Sequence, residues 1–200
     1  MPSSEIKNRD YISWSQYWLY KQSPEKYKRI YIDGEKGYVS DEMEFGSNFH
    51  EGLDKGSDDI EIEAARLVLP NYSKREYEIT EIYKGVKIKG VLDLFDKKKL
   101  RIHIGDIKTG KVKWTQERAN NHGQLKFYDL LCLAKYGVMA KEIKLYWFET
   151  KDGEEGIQLT GNHKEFKINN SLSDLLIFFA DVKRVNDKII KLRKKYGKKV

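Results

Sequence analysis

The segment Leu100–Lys108 constrains the fold of this chain most, because its alternating pattern changes character partway along. Successive side chains of a β-strand point to opposite faces, so all even positions of this segment share one face. Three apolar residues come first on that face, and Asp106 and Lys108 follow. An ordinary amphipathic strand keeps its charges on the opposite face. The segment therefore predicts a strand that leaves the core at a cleft.

Two further strands are predicted upstream of this one. Glu76–Tyr83 and Val86–Phe95 are rich in β-branched and aromatic residues, and Lys84-Gly85 separates them as a turn. The charged run Asp96–Lys99 is the predicted turn into Leu100–Lys108. The three segments together predict an antiparallel meander.

A second acid, Asp93, lies near the end of the middle strand. A tight turn centred on Lys97-Lys98 would place Asp93 opposite Ile102, four residues or about 13 Å along the strand from Asp106. The side chains then share a face but are too far apart to share an ion. A common metal site therefore requires a looser turn, a β-bulge or strong coiling in this hairpin.

Asp93, Asp106 and Lys108 form a group of side chains suited to hydrolysis of a phosphodiester. Carboxylates bind hard divalent cations, and a lysine offers positive charge to a reacting phosphate or water. Burying two acids without a cation would be costly. Glu76 and Glu78 precede this group, and one of them is a candidate for a supporting acid rather than a metal ligand.

The remaining segments predict an α/β fold with a central mixed sheet flanked by helices. We expect one domain over residues 1–200, with a helical part at 1–70, a catalytic core at 75–160 and a basic C-terminal helix at 170–200. A helix is predicted from Ser40 into the 60s, with Gly46, Gly52 and Gly56 as candidate break points. A second helix is predicted from Thr115 to about Lys135, and a further strand at Lys141–Thr150. Gly156–Leu159 is expected to pair back onto that strand.

Composition narrows the class of protein. Charged residues make up 34% of the chain and the net charge is +7, which favours a polyanionic partner. The single cysteine, Cys132, allows neither an internal disulfide nor a cysteine-bound zinc or iron–sulfur cluster. No apolar stretch approaches the ~20 residues of a membrane span, so we expect an intracellular protein without a membrane partner.

Two groups of aromatic and basic residues are candidates for contact with nucleic acid. Lys111 and Lys113 adjoin Trp114 in a segment that either grips phosphates or is a solvated loop. The N-terminal region is crowded with tyrosine and tryptophan, which pack helices together or, in one or two cases, stack on bases. The sequence leaves both alternatives open.

Four motifs stand in a fixed order along the chain. They are Phe45-Gly46-Ser47-Asn48-Phe49-His50, Gly90-Val91-Leu92-Asp93, Asp106-Ile107-Lys108-Thr109-Gly110 and Gln124-Leu125-Lys126-Phe127-Tyr128. This set resembles the PD-(D/E)XK nuclease superfamily, and within it the RecB-like exonuclease branch. The resemblance covers about residues 11–150 and implies a restriction-endonuclease-like core of order α-β-β-β-α-β.

The resemblance also implies roles for these residues. Asp93 and Asp106 would ligate Mg²⁺ or Mn²⁺ with help from the Ile107 carbonyl, and His50 would supply a further metal ligand. Lys108 would orient or activate the attacking water. Gln124 and Tyr128, one helical turn apart, would position the substrate backbone or support the site.

By this resemblance, the expected activity is that of a DNA exonuclease acting on single strands or DNA ends. The absence of a cysteine set points to the cluster-free members of the branch that act in recombination, repair or phage biology, in the cytoplasm or at the nucleoid, and in a host cell if the source is viral. A structure-selective endonuclease on the same fold is one alternative. A catalytically silent nucleic-acid-binding module is another.

Overall fold

A five-stranded mixed sheet with helices on both faces is the central feature of the computed structural model, which describes residues 9–154 and 156–196. The strands are β1 (Lys74–Tyr83), β2 (Val86–Lys98), β3 (Arg101–Gly110), β4 (Glu142–Gly153) and β5 (Gly156–Ile168). They lie in the order β1-β2-β3-β4-β5; β3 and β4 run parallel, and the other neighbouring strands run antiparallel. The predicted α/β class with a mixed sheet is confirmed.

Seven helices surround this sheet in the described ranges. They are α1 (Trp14–Gln22), α2 (Pro24–Tyr31), α3 (Asp41–Lys55), α4 (Ile60–Val68), α5 (Gln116–Asn120), α6 (Gly123–Tyr136) and α7 (Leu172–Tyr196). Side-chain oxygens of Ser13, Ser23 and Ser40 cap the first three, and each accepts a hydrogen bond from a backbone N–H of the first turn. None of these helices is both long and apolar enough to cross a bilayer.

Two predicted helices are each divided in two. The helix expected from Ser40 into the 60s breaks at Gly56, whose φ of +86° is a left-handed conformation that favours glycine. Asp59 then caps α4. The helix expected from Thr115 to Lys135 breaks at Asn121-His122, so α6 begins as a new helix beside the sheet.

The sheet separates two apolar cores. On one face, α1, α2, α6 and α7 cover β-strand residues that include Ile88 and Ile104. On the other face, α3 and α4 cover a smaller set that includes Leu94 and Ile107. The strands are therefore buried on both sides along much of their length, which accounts for their apolar runs.

The turn between β2 and β3 corrects the predicted register. The turn lies at Lys99-Leu100 rather than within Asp96–Lys99, and Leu94 pairs with Gly105. Moving the centre of a two-residue turn by two positions shifts the opposing strand by four. Asp93 is consequently level with Asp106 instead of Ile102, and no distortion of the hairpin is required to bring the two acids to the same height.

Beyond the pair Leu94–Gly105, β2 and β3 separate, and we call this opening the strand fork. β3 continues alongside β4 as far as Gly110. The earlier part of β2 pairs instead with the N-terminal segment, where the Ile12 N–H donates to the Lys87 carbonyl at 2.9 Å. The fork leaves room between two strands of one sheet for side chains from both faces.

Candidate active site

Asp93 and Asp106 lie at the point where the strand fork opens. Asp106 is fully buried, and Asp93 is 8% exposed. The Asp93 carboxylate crosses the gap between the strands and accepts a hydrogen bond from the Ile107 N–H at 2.7 Å. A side chain thus replaces the backbone pairing that ends one residue earlier, which fixes the position of Asp93 relative to β3.

Glu76 faces the fork because β1 and β2 are irregular at the same level. Glu76 has a φ of +46°, which is unusual for a residue with a side chain, and the pair Glu76–Asp93 is missing from an otherwise continuous ladder. On β2, Leu92 and Phe95 pack into the same core although they are three residues apart, so the alternation of faces slips beside Asp93. Backbone strain of this kind concentrates at functional sites.

His50 enters the fork from α3, on the opposite face of the sheet from α6. Its Nε2 lies 3.2 Å from the Ile107 carbonyl oxygen. Its Nδ1 lies 3.5 Å from Glu76 Oε1 and 3.9 Å from Asp93 Oδ2. Each ring nitrogen therefore faces oxygen atoms, and a neutral imidazole can offer one nitrogen to a cation while the other carries the proton.

The donor atoms fit a hard divalent cation. Atoms of His50, Glu76 and Asp93 lie within 4.8 Å of one another, and Asp106 is outside this compact set. Around an octahedral ion with bonds of ~2.1 Å, neighbouring ligands are about 3.0 Å apart. His50 Nδ1 lies 3.5 Å from Glu76 Oε1 and 3.9 Å from Asp93 Oδ2, somewhat more than this value. The 3.2 Å contact of Nε2 with the Ile107 oxygen is a hydrogen bond that leaves Nδ1 free for the ion. Carboxylate, carbonyl and imidazole donors suit Mg²⁺ or Mn²⁺ better than a thiophilic metal.

Asp106 adds a buried carboxylate that the described residues do not satisfy. Its Oδ1 has no hydrogen-bond donor. Lys108 Nζ lies 2.8 Å from its Oδ2, which is an ion-pair distance without hydrogen-bond geometry. Buried polar atoms are almost always paired, so an open carboxylate oxygen beside other donors is a strong sign of a ligand position.

Burial and the neighbouring charges shift the pKa values of Asp93 and His50. Burial, followed by the nearby Asp106 charge, raises the pKa of Asp93 to about 7, although Lys108 and His50 oppose the shift. Burial lowers the pKa of His50, but the hydrogen bond to Glu76 and the charge of Asp93 outweigh it and the net shift is upward. These groups carry an excess of negative charge that a cation would relieve.

Lys108 keeps its proton at this position. Burial alone would lower the pKa of its ammonium, but the charges of Asp106 and Asp93 outweigh that effect and raise it. Lys108 therefore contributes a fixed positive charge beside the carboxylates. The same arrangement makes it a poor proton acceptor near neutral pH.

Gln124 and Tyr128 lie on the first two turns of α6 and face the fork. The Gln124 amide donates to the Tyr128 hydroxyl at 2.6 Å. Burial, with the charges of Asp93 and Asp106, raises the pKa of Tyr128, so its own proton stays available to an acceptor. Gly90 allows this approach, because a Cβ there would lie 2.6 Å from Leu131 Cδ1 of α6.

The structure places the predicted Lys111, Lys113 and Trp114 group differently from the other candidates. Trp114 is only 6% exposed, and its ring contacts the His122 ring edge-on. The Arg118 guanidinium carbon lies 4.1 Å from the centre of the Trp114 ring. Because so little of the ring is exposed, Trp114 belongs to the core beside α5 and α6 and does not offer an open stacking surface. Lys111 pairs with Glu42 and Asp152, and Lys113 is exposed.

Glu76 is the residue of the donor set that the sequence did not indicate as a ligand. It was expected at most to support the site, and no periodicity distinguishes it from Glu78. Glu78 instead pairs with Lys89 at 2.8 Å, and its side chain is 54% exposed. The strained backbone that separates their roles cannot be read from residue types.

Comparison with known proteins identifies the family. A sequence profile of the PD-(D/E)XK nuclease superfamily matches residues 58–191, which is more than half of the chain. No curated protein sequence matches. The chain is similar in fold to a crystal structure from Eubacterium rectale described as a "putative exonuclease", with a TM-score of 0.64, 14% identity, and coverage of 98% of this chain and 85% of that one. A second crystal structure, of SSO0001, matches with a TM-score of 0.44 and 15% identity, and the match covers 91% of this chain and 79% of that one.

Proposed function

Because the chain belongs to the PD-(D/E)XK nuclease superfamily, we propose that it is a Mg²⁺- or Mn²⁺-dependent deoxyribonuclease acting as an exonuclease on single strands or DNA ends. The observation that carries this proposal is the buried carboxylate of Asp106 beside Lys108. It adjoins the compact set of donor atoms from His50, Glu76 and Asp93. A buried carboxylate beside other oxygen and nitrogen donors supports a ligand position, because buried polar atoms are seldom left without a partner.

Each side chain of the fork has a distinct task under this proposal. His50, Glu76, Asp93 and Asp106, with the Ile107 carbonyl, would hold the divalent cation. The cation, when bound, supplies Lewis acidity toward a phosphate oxygen and lowers the pKa of water. Lys108 supplies a fixed positive charge where negative charge develops on the phosphate during in-line attack.

Tyr128 and Gln124 fit a role in holding the substrate backbone. The Tyr128 hydroxyl already accepts a hydrogen bond from Gln124, so its remaining hydrogen-bonding capacity is that of a donor. A phosphate oxygen is a suitable acceptor for that hydrogen. Positioning a strand in this way reduces the entropy cost of bringing the phosphorus to the attacking water.

The proposal is tested with DNA strands labelled at either end and a closed circular DNA as substrate. With Mg²⁺ or Mn²⁺ we expect progressive shortening of linear strands and an intact circle. Asp106→Asn should reduce the rate roughly 10³-fold, because several kcal/mol of transition-state stabilisation are lost. Asp96→Asn, which removes a carboxylate from the same hairpin outside the fork, is the matched control and should retain activity.

The alternatives give different results in the same assay. Cutting of the closed circle would favour the structure-selective endonuclease. Binding without cleavage under all metal conditions would favour a silent binding module and contradict the proposed activity. An RNA strand of the same sequence tests the preference for DNA.

A further inference from the structure

A surface pocket of about 270 Å³ adjoins the strand fork on the side of the N-terminal segment. We call it the Tyr11 pocket and define it by Arg9, Tyr11, Trp14, Lys89, Gln124 and Tyr128. Pockets for drug-sized ligands measure ~300–1,000 Å³. The Tyr11 pocket is smaller, so it suits one nucleotide-sized group rather than a duplex.

The Tyr11 pocket is joined to the candidate active site through α6 and β2. Gln124 and Tyr128 line the pocket, and Tyr128 is close enough to Asp93 and Asp106 for their charges to raise the pKa of its hydroxyl. Gly90 of β2 also lines the pocket and precedes Asp93 by three residues, or about 10 Å along the strand. A chain that leaves the fork along β2 would therefore reach the pocket after a short stretch.

Two cations and an aromatic ring characterise this pocket chemically. The Arg9 guanidinium lies 5.8 Å from the centre of the Tyr11 ring, and Lys89 Nζ lies 5.3 Å from it. Cations over a tyrosine ring are held by the negative face of the ring. The arrangement places positive charge for a phosphate next to an aromatic surface for a base or sugar, which is how unpaired strands are bound.

The N-terminal segment is held firmly enough to form such a wall. Ile12 exchanges two backbone hydrogen bonds with β2, from its N–H to Lys87 and from the Lys89 N–H to its carbonyl, at 2.9 and 3.0 Å. These bonds fix Tyr11 beside Lys89. The pocket is thus built by backbone pairing and does not depend on a side-chain contact alone.

We propose that the Tyr11 pocket binds one unpaired nucleotide of the strand whose phosphodiester is cut, with Arg9 and Lys89 on its phosphate and Tyr11 against its base. This inference rests on the proposed nuclease function and names its substrate as single-stranded at that position. Glu78 forms a surface ion pair with Lys89 and therefore competes with the phosphate for this lysine.

Binding of a short labelled oligothymidylate in EDTA, followed by fluorescence anisotropy, tests the proposal without any cleavage. Tyr11→Ala should weaken binding roughly ten-fold, the effect of losing one stacking surface, and Tyr11→Phe should retain most of the affinity. The pair Arg9→Gln and Lys89→Gln should also lower the slope of log Kd against log salt by about 0.7 for each phosphate that is no longer neutralised. Glu78→Gln frees Lys89 and should tighten binding.

The matched control removes the same charge elsewhere. Arg29 and Lys36 line a separate surface pocket, so the double variant Arg29→Gln, Lys36→Gln should change the affinity for the oligothymidylate far less. Equal weakening by both pairs, equal weakening for a hairpin duplex and the single strand, or absence of binding by the wild-type protein would each overturn the proposal. Thermal melting of every variant identifies loss of folding.

The two proposals fail in different ways. If the wild-type protein binds the oligothymidylate through the Tyr11 pocket but never cleaves it with Mg²⁺ or Mn²⁺, the nuclease function is wrong. If it cleaves strands while Tyr11→Ala and the pair Arg9→Gln and Lys89→Gln bind as wild type does, the pocket assignment is wrong. In the active case, Tyr11→Ala should raise KM for single strands more than it lowers kcat.

Discussion

Asp106 and Glu76 share one property at the scale of single residues, because each occupies a position that is unfavourable without a ligand. Asp106 is fully buried with an oxygen that has no donor among residues 9–154 and 156–196, and Glu76 adopts a left-handed backbone conformation. A left-handed residue with a side chain costs roughly 1–2 kcal/mol. Proteins retain such costs where activity requires them.

Glu76→Gln should weaken metal binding while the fold is preserved. The amide keeps the size of the side chain but removes a charge that lies 3.5 Å from His50. We expect the Mn²⁺ concentration for half-maximal stabilisation against heat to rise about 10-fold or more. Glu81→Gln, in the same strand but paired with Lys135, is the control and should leave the metal dependence unchanged.

His122 makes the stability of the protein depend on pH. Burial lowers its pKa from 6.5 to about 4, so between these values the unfolded chain binds a proton that the folded chain does not. The contribution of neutral His122 is therefore complete above pH 6.5 and is lost as the pH falls toward 4. Allowing for its partial exposure, the loss is on the order of 2 kcal/mol.

His122→Gln should flatten this part of the pH profile. Urea unfolding of the variant and the wild type from pH 8 to 4.5 measures the difference directly. The free-energy difference between them should shift in favour of the variant as the pH falls. His163→Gln, at an exposed position, is the control, and a profile for His122→Gln that stays parallel to wild type would contradict the assignment.

The β2–β3 hairpin is the element that brings the two aspartates level. The first hairpin of the meander was predictable, since Lys84-Gly85 contains the glycine that a two-residue turn with positive φ prefers. The second turn lies in a run of charged residues without glycine, and Lys99 adopts a φ of +57°. Residue types in that run do not distinguish one turn position from another, so the register was mispredicted.

Lys99→Gly should stabilise this hairpin. Glycine adopts the left-handed conformation without the steric cost of a Cβ, and we expect the free energy of unfolding to rise by about 1 kcal/mol. Lys98→Gly, at the last paired position of β2, should have the opposite sign because glycine loses more conformational freedom than lysine when it is fixed in an extended, paired conformation. Urea unfolding of both variants checks the turn position, and reversed signs would refute it.

The N-terminal segment and the C-terminal helix meet at the scale of the whole molecule. Arg193 of α7 donates to the Gln16 side chain at 2.9 Å, to the Tyr27 hydroxyl at 2.8 Å and to the Arg9 carbonyl. The sequence predicted only that this helix is basic. One of its arginines joins the last helix to the first two.

Arg193→Leu should lower the free energy of unfolding by about 2–3 kcal/mol. The substitution leaves the buried side-chain amide oxygen of Gln16 and the Tyr27 hydroxyl without the donor that Arg193 supplies. Lys194→Leu changes an exposed neighbour and is the control. Chemical denaturation measures both. A loss of similar size in the two variants would show that apolar substitution of this helix end, rather than the Arg193 network, is responsible.

The number and order of the strands, the alternating face that carries Asp106 and Lys108, and the ordered motifs were predictable from residue order, although β5 extends to Ile168 and the prediction ended at Leu159. They follow from local periodicity and residue chemistry. The strand fork, the level of Asp93, the recruitment of Glu76 beside His50 and the Tyr11 pocket emerged only in three dimensions. Those features depend on turn geometry and on contacts between residues far apart in the chain, which pack side chains from both faces of the sheet into one opening.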